Sequence, residues 1–119
     1  MKRFFIILVL SSIFVSCRYA PEGKGKISIE NTAQDYMCIT EVWTKEHSEY
    51  EWKLSFDNSG LANVRIAQFY LEPGNYDIKL KSRTKILPYE QEYKYSDYII
   101  VQDNSFEYLC FNGYSIYKN

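Results

Sequence analysis

The chain is poor in the residues that perform chemistry and in those that bend the backbone. Of its 119 residues one is histidine, three are cysteine, three are proline and five are glycine. A lone histidine, His47, with no Cys-x-x-Cys or His-x-x-x-His spacing, provides no metal-ligand set. The glycines stand at positions 23, 25, 60, 74 and 113, so none builds a phosphate-cradling loop or a nucleophile elbow. Basic residues number 14 against 15 acidic ones, without a basic block, which excludes nucleic acid as a partner. Carboxylates recur at two-residue spacing (Glu49 and Glu51, Glu90 and Glu92). On strands such pairs face solvent together and do not converge across a cleft as a glycosidase requires. Helical apolar stripes are also missing, so a helix bundle is excluded. The expectation is a protein that is not an enzyme and needs no metal or cofactor, with His47 a solvated turn residue.

One long uncharged run is present. Met1-Lys2-Arg3 is basic, Phe4 through Val15 carries no charge, and Arg18 restores it. A helix from Phe4 to Ser16 would reach roughly 20 Å at ~1.5 Å per residue, short of the ~30 Å hydrocarbon core. The order is that of a secretory signal peptide at residues 1–16. Phe14-Val15-Ser16-Cys17 resembles the lipobox of bacterial lipoproteins, although Phe14 departs from the commoner leucine. The resemblance implies that Cys17 takes a diacylglyceryl group and becomes the new N-terminus, anchoring the chain to a membrane. Arg18 is not the aspartate that retains enterobacterial lipoproteins at the inner membrane. An outer-membrane or cell-surface location follows by the same resemblance. The 14 basic residues fall by two when Lys2 and Arg3 leave with the leader, so the mature net charge is about −3.

Residues 17–25 read as a lipidated, flexible tether and residues 26–119 as one domain of about 100 residues. Within it alternation at period two recurs. Seven strands are predicted: Lys26–Glu30, Tyr36–Lys45, Tyr50–Phe56, Asn63–Leu71, Tyr76–Arg83, Tyr93–Val101 and Ser105–Phe111. Tyr50, Trp52, Leu54 and Phe56 share a face. Val64 and Ile66 are out of phase with Phe69 and Leu71, which predicts a bulge near Ala67. Pro73-Gly74 reads as a type II turn with positive φ at Gly74. Tyr76, just after that corner, is a candidate tyrosine corner whose hydroxyl folds back onto backbone. The fold class is all-β, a single antiparallel β-sandwich.

Gly25-Lys-Ile-Ser-Ile-Glu-Asn31, Leu71-Glu-Pro-Gly-Asn-Tyr-Asp-Ile-Lys-Leu80 and a strand near the end resemble small bacterial lipoproteins with transthyretin-like or immunoglobulin-like sandwiches. Cys38, Trp52 and Tyr108-Leu109-Cys110 also resemble the immunoglobulin Cys, Trp and Tyr-x-Cys pattern. Either resemblance implies a sandwich and names no ligand.

With Cys17 assigned to lipid, Cys38 and Cys110 form an even pair in an oxidising compartment. A disulfide between them would close a loop of about 70 residues and stabilise by roughly 4 kcal/mol; the alternative is two buried thiols. Twelve tyrosines fit high β-propensity and a composition also rich in Ile, Lys and Asn. Tyr89, Tyr93 and Tyr95 share one side of an extended segment, either as core or as an exposed aromatic binding surface. The functional expectation is a membrane-anchored envelope lipoprotein, non-catalytic, binding a protein or glycan. Alternatives are a periplasmic inhibitor of the lysozyme-inhibitor type, whose Ser-Gly-x-x-Tyr-like loop Ser59-Gly60 matches without the tyrosine, and an accessory subunit of an envelope or secretion complex.

Overall fold

Alternating apolar and polar side chains give strands with one face to bury, and two sheets closing on each other satisfy both. The computed structural model describes residues 18–58, 64–85 and 89–118. Over these the chain forms nine strands and no helix: β1 (Gly25–Asn31), β2 (Met37–Glu46), β3 (Lys53–Asp57), β4 (Ile66–Leu71), β5 (Gly74–Thr84), β6 (Glu90–Lys94), β7 (Ile99–Val101), β8 (Phe106–Phe111) and β9 (Ile116–Lys118). One sheet has the order β4-β1-β8-β9. The other runs β3-β2-β5-β6, with β7 on β5 as well. The chain is thus an all-β sandwich, with nine strands where seven are predicted.

Two differences account for the count. β9 pairs with β8 from Leu109↔Lys118 to Phe111↔Ile116. The expected strand Tyr93–Val101 breaks in two along one edge of β5. There β6 pairs with Lys79–Arg83 and β7 with Gly74–Tyr76. Nor is the sandwich wholly antiparallel, because β1 runs parallel to β8 from Lys26↔Phe106 to Asn31↔Phe111. A parallel pair needs a long crossover, and the whole of β2–β7 supplies it.

The inward faces form the core: Ile27 and Ile29 of β1, Ile39 and Val42 of β2, Ile78 and Leu80 of β5, and Leu109 and Phe111 of β8 are all fully buried. Each such side chain contributes about 1.5–3 kcal/mol of burial. The predicted bulge near Ala67 is absent. Pairing of β4 with β1 is regular from Gly25↔Leu71 to Glu30↔Ile66, Ala67 and Phe69 point inward, and Ile66 is exposed. Bulges occur instead in β2, between Ile39 and Glu41 and, against β3, between Val42 and Trp43. The second splits the predicted Tyr50–Phe56 face. Phe56 pairs with Val42 and packs on the core, whereas Leu54 pairs with Trp43 and is exposed.

Tyr76 forms the expected corner, its hydroxyl donating to the Glu72 carbonyl at 2.8 Å. Gly74, however, lacks positive φ and opens β5 without a type II turn. A Cβ there would lie 3.3 Å from the Tyr76 ring, so the glycine makes room for the aromatic side chain.

Residues 18–24 are not a free tether. Arg18 is ion-paired with Asp103. The Tyr19 amide donates to Asn104 Oδ1 at 2.7 Å and the Gly23 amide to Asp103 Oδ1 at 2.9 Å. Ala20 is buried. The segment is bolted to the turn between β7 and β8.

The Cys38–Cys110 disulfide is also corrected. Both thiols are free and belong to opposite sheets. Met37 and Ile39 flank Cys38, Leu109 and Phe111 flank Cys110, and it is these neighbours that join the core. Strand alternation therefore turns both cysteines to outer faces, with the whole sandwich between them. The strand order also differs from the immunoglobulin one. There the first strand neighbours the second, whereas β1 here lies between β4 and β8.

Candidate ligand-binding site

The outer face of the five-stranded sheet carries charge in register. Trp43 and Lys45 of β2 stand opposite Lys79 and Asp77 of β5, and Lys79 and Lys81 stand opposite Lys94 and Glu92 of β6. Both tryptophans lie on this face, laced by lysines. Lys79 Nζ sits 4.5 Å from the Trp52 ring centre and 5.9 Å from that of Trp43. Lys45 lies 5.5 Å from Trp52 and Lys81 5.9 Å from Trp43. The same lysines are neutralised by carboxylates: Lys45–Asp77 at 2.6 Å, Lys79–Glu92 at 3.3 Å and Lys81–Glu41 at 3.6 Å. Cation–π contacts of this kind are worth about 0.5–1 kcal/mol each when exposed, so the ladder stiffens the face without giving it a net charge.

At one end of the ladder the break between β6 and β7 opens a cleft of about 380 Å³, lined among others by His47, Trp52, Asp77, Lys94, Tyr95 and Tyr98. That lies in the lower range of roughly 300–1,000 Å³ for ligand pockets. His47 is the exposed turn residue expected, but its backbone and ring are engaged. Its amide extends the β2–β5 ladder by donating to Asn75 O at 2.8 Å. Its ring stacks on Tyr98 at 4.6 Å and 29°. Nδ1 lies 2.7 Å from Asp77 Oδ1, and since an ionised carboxylate only accepts, Nδ1–H is the donor. Asp77 thus holds Lys45 and His47 on its two oxygens. Partial burial pushes its carboxyl up, but the hydrogen bonds from Lys45 and His47 outweigh this and hold it below its ordinary value.

A histidine oriented by an aspartate is half of a nucleophile triad. Ser96 lines the same cleft, yet no described hydrogen bond joins it to His47. Among the described residues no group of three or more His, Cys, Asp or Glu side chains is placed to hold a metal ion. The arrangement suits recognition: aromatic walls beside donors and acceptors held in fixed positions.

A second, larger cleft of about 550 Å³ follows the seam between β3 and β4, with Glu46, Glu49, Glu51 and Glu72 on its rim and Tyr76 within. Its lining includes two aromatic rings, Tyr70 and Tyr76, but no tryptophan.

The structure disperses the other predicted residues. Tyr93 and Tyr95 pack against the core, Tyr93 edge-on to Phe111 at 4.9 Å, while Tyr89 is exposed; the three make no common surface. Cys17 and the Ser59-Gly60 loop lie outside the described residues. Glu49, Glu51, Glu90 and Glu92 are exposed as expected. His47, Asp77 and Tyr98 come from three separate segments, brought together by the Lys45↔Asp77 register of β2 and β5 and by the β6–β7 break. Local pattern carries no trace of that meeting. No protein-family model, curated protein or solved structure matches the chain.

Proposed function

We propose that the chain is a lipid-anchored envelope lipoprotein whose sandwich, of the transthyretin-like rather than the immunoglobulin-like kind, binds a glycan without catalysing a reaction. The lipobox-like Phe14-Val15-Ser16-Cys17 supports the anchor. The observation that carries the binding is the cleft beside His47, where Trp52, Tyr95 and Tyr98 stand around the Asp77–His47–Lys45 cluster. Apolar ring faces beside fixed charged donors and acceptors complement a sugar, which offers an apolar C–H face and a rim of hydroxyls. A protein ligand would draw on the same rings.

Trp52 is a native reporter of this cleft. Titration of the full chain in detergent with soluble fragments of envelope glycans should give saturable tryptophan fluorescence changes. Tyr98→Ala and His47→Ala should each weaken binding by roughly tenfold, the equivalent of about 1.4 kcal/mol. A flat titration to millimolar glycan, with folded protein, refutes the glycan reading.

A further inference from the structure

The outer face of the four-stranded sheet differs from the ladder on the opposite side. Its rows follow from register: Tyr70, Lys26 and Phe106 lie side by side, then Gln68, Ser28 and Tyr108, then Ile66, Glu30 and Cys110 with Tyr117 beyond. Aromatic and aliphatic side chains dominate and are open to solvent: Tyr19 is 58 % exposed, Ile66 41 %, Tyr70 and Phe106 40 % each and Tyr117 37 %. Single exposed apolar residues need no explanation, but a contiguous set marks a contact surface. Charges on this face are few and already engaged. Lys26 Nζ sits 4.9 Å over the Phe106 ring. Glu30 accepts from Tyr108 at 2.7 Å and from Arg65 at 3.2 Å.

The place where the chain leaves the fold identifies the occupant. Tyr19 packs edge-on against Phe106 with ring centres 5.4 Å apart, and Arg18 is tied to Asp103. Cys17 directly precedes Arg18 in the sequence. Residues 18–24 are pinned beside this face, so a lipid on Cys17 would be attached to a docked segment and not to a free tether. Tyrosines concentrate where bilayer meets water, and a lysine lying along a ring keeps its ammonium in the headgroup layer.

We propose that this face is a membrane-contact surface: the lipid on Cys17 holds the Tyr19–Phe106–Tyr70 row against the phospholipid interface, and the Trp43–Trp52 ladder with the His47 cleft is presented away from the membrane. The inference rests on the lipid-anchor reading of Cys17. It adds an orientation which that reading does not supply.

The test uses the full lipoprotein in vesicles of phosphatidylethanolamine and phosphatidylglycerol, with or without brominated acyl chains. Trp43 and Trp52 serve as native reporters of the distal face, beyond two sheets spaced ~10 Å apart. Phe106→Trp and Tyr70→Trp, both at exposed positions, report on the proximal one. A thermal midpoint matching the parent verifies their folding. The wild-type emission should be nearly unchanged by bromine, while the emission added by either variant should fall by about twofold, as for a ring buried ~5–10 Å into the interface. Quenching of the wild-type tryptophans alone, with Cys17 lipidated by mass, overturns the orientation and leaves the anchor standing. An unmodified Cys17 in the mature protein removes both. Blue-shifted but unquenched added emission in the Phe106→Trp variant, if it depends on protein density, identifies a second copy of the chain as the occupant and overturns the membrane assignment.

Discussion

Asp77 is the residue on which the cleft depends. Lys45 and His47 approach its two oxygens from the same strand-and-turn segment, so one carboxylate fixes the end of β2 to β5. Its carboxyl is held below the ordinary 3.8 by those hydrogen bonds, which overcome the opposing effect of burial. A depressed folded-state value means that the unfolded chain binds the proton more readily. The stabilisation is therefore fully present above the unfolded value and is lost as pH falls through the lower folded one. Asp77→Asn should cost about 1–2 kcal/mol near neutral pH and flatten the loss of stability below pH ~4. Urea unfolding of both proteins at neutral and acidic pH measures this. Equal acid slopes would show that Asp77 contributes nothing specific. Glu30 and Asp103 are held down in the same direction, by hydrogen bonds from Tyr108 and Arg18 respectively, so the variant should retain part of the parent's slope.

At the scale of elements, β1 begins where the N-terminal segment docks, and Gly25 sets how closely. A Cβ on Gly25 would meet Val101 Cγ1 at 2.6 Å and both Gln102 O and Ser105 Oγ at 2.7 Å. Two of the three obstacles belong to the β7–β8 turn that also binds residues 18–24, and one is backbone. Gly25→Ala should therefore push β1 from that turn at a cost of about 1–3 kcal/mol. Amide hydrogen exchange should accelerate first at residues 18–24, ahead of the β2–β5 pair. Uniform loss of protection, or none, would refute this local account. Such a contact also shows where sequence reading stops. Ile27 and Ile29, or Tyr76, Ile78 and Leu80, announce their inward phase by simple alternation, and the strands that contain them are legible. The packed N-terminal segment looks like a linker because Pro21, Gly23 and Gly25 are turn formers wherever they occur. Its partners Asp103 and Asn104 lie some eighty residues away. The bulges of β2 are equally silent, since they are set by the registers of β3 and β5.

For the whole molecule, the two sheets turn different chemistries outward, and the cysteines record the division. Cys38 belongs to the charged ladder side. Cys110 lies on the aromatic side, buried between Glu30 and Tyr117 in register. Even parity and strand location make a disulfide attractive from sequence. What decides the matter is which face each thiol occupies, and at Cys38 that depends on the strand phase left by a bulge one residue after Ile39. Bridging requires Cα atoms within about 7 Å, a separation that two outward-facing thiols on sheets ~10 Å apart cannot reach. The mature domain should accordingly carry two thiols after non-reducing denaturation, and reductant should leave its thermal midpoint unchanged. In the native state the two should react at different rates. Cys38 is partly accessible, whereas burial, and then the nearby Glu30 charge, push the Cys110 thiol up and disfavour the reactive thiolate. Thiol titration with an aromatic disulfide reagent should give a fast phase at Cys38 and a slow one at Cys110 limited by opening of the β8–β9 edge. A domain that shows no titratable thiol until reduced would place both cysteines on the same side of the core and overturn the strand phases of β2 or β8.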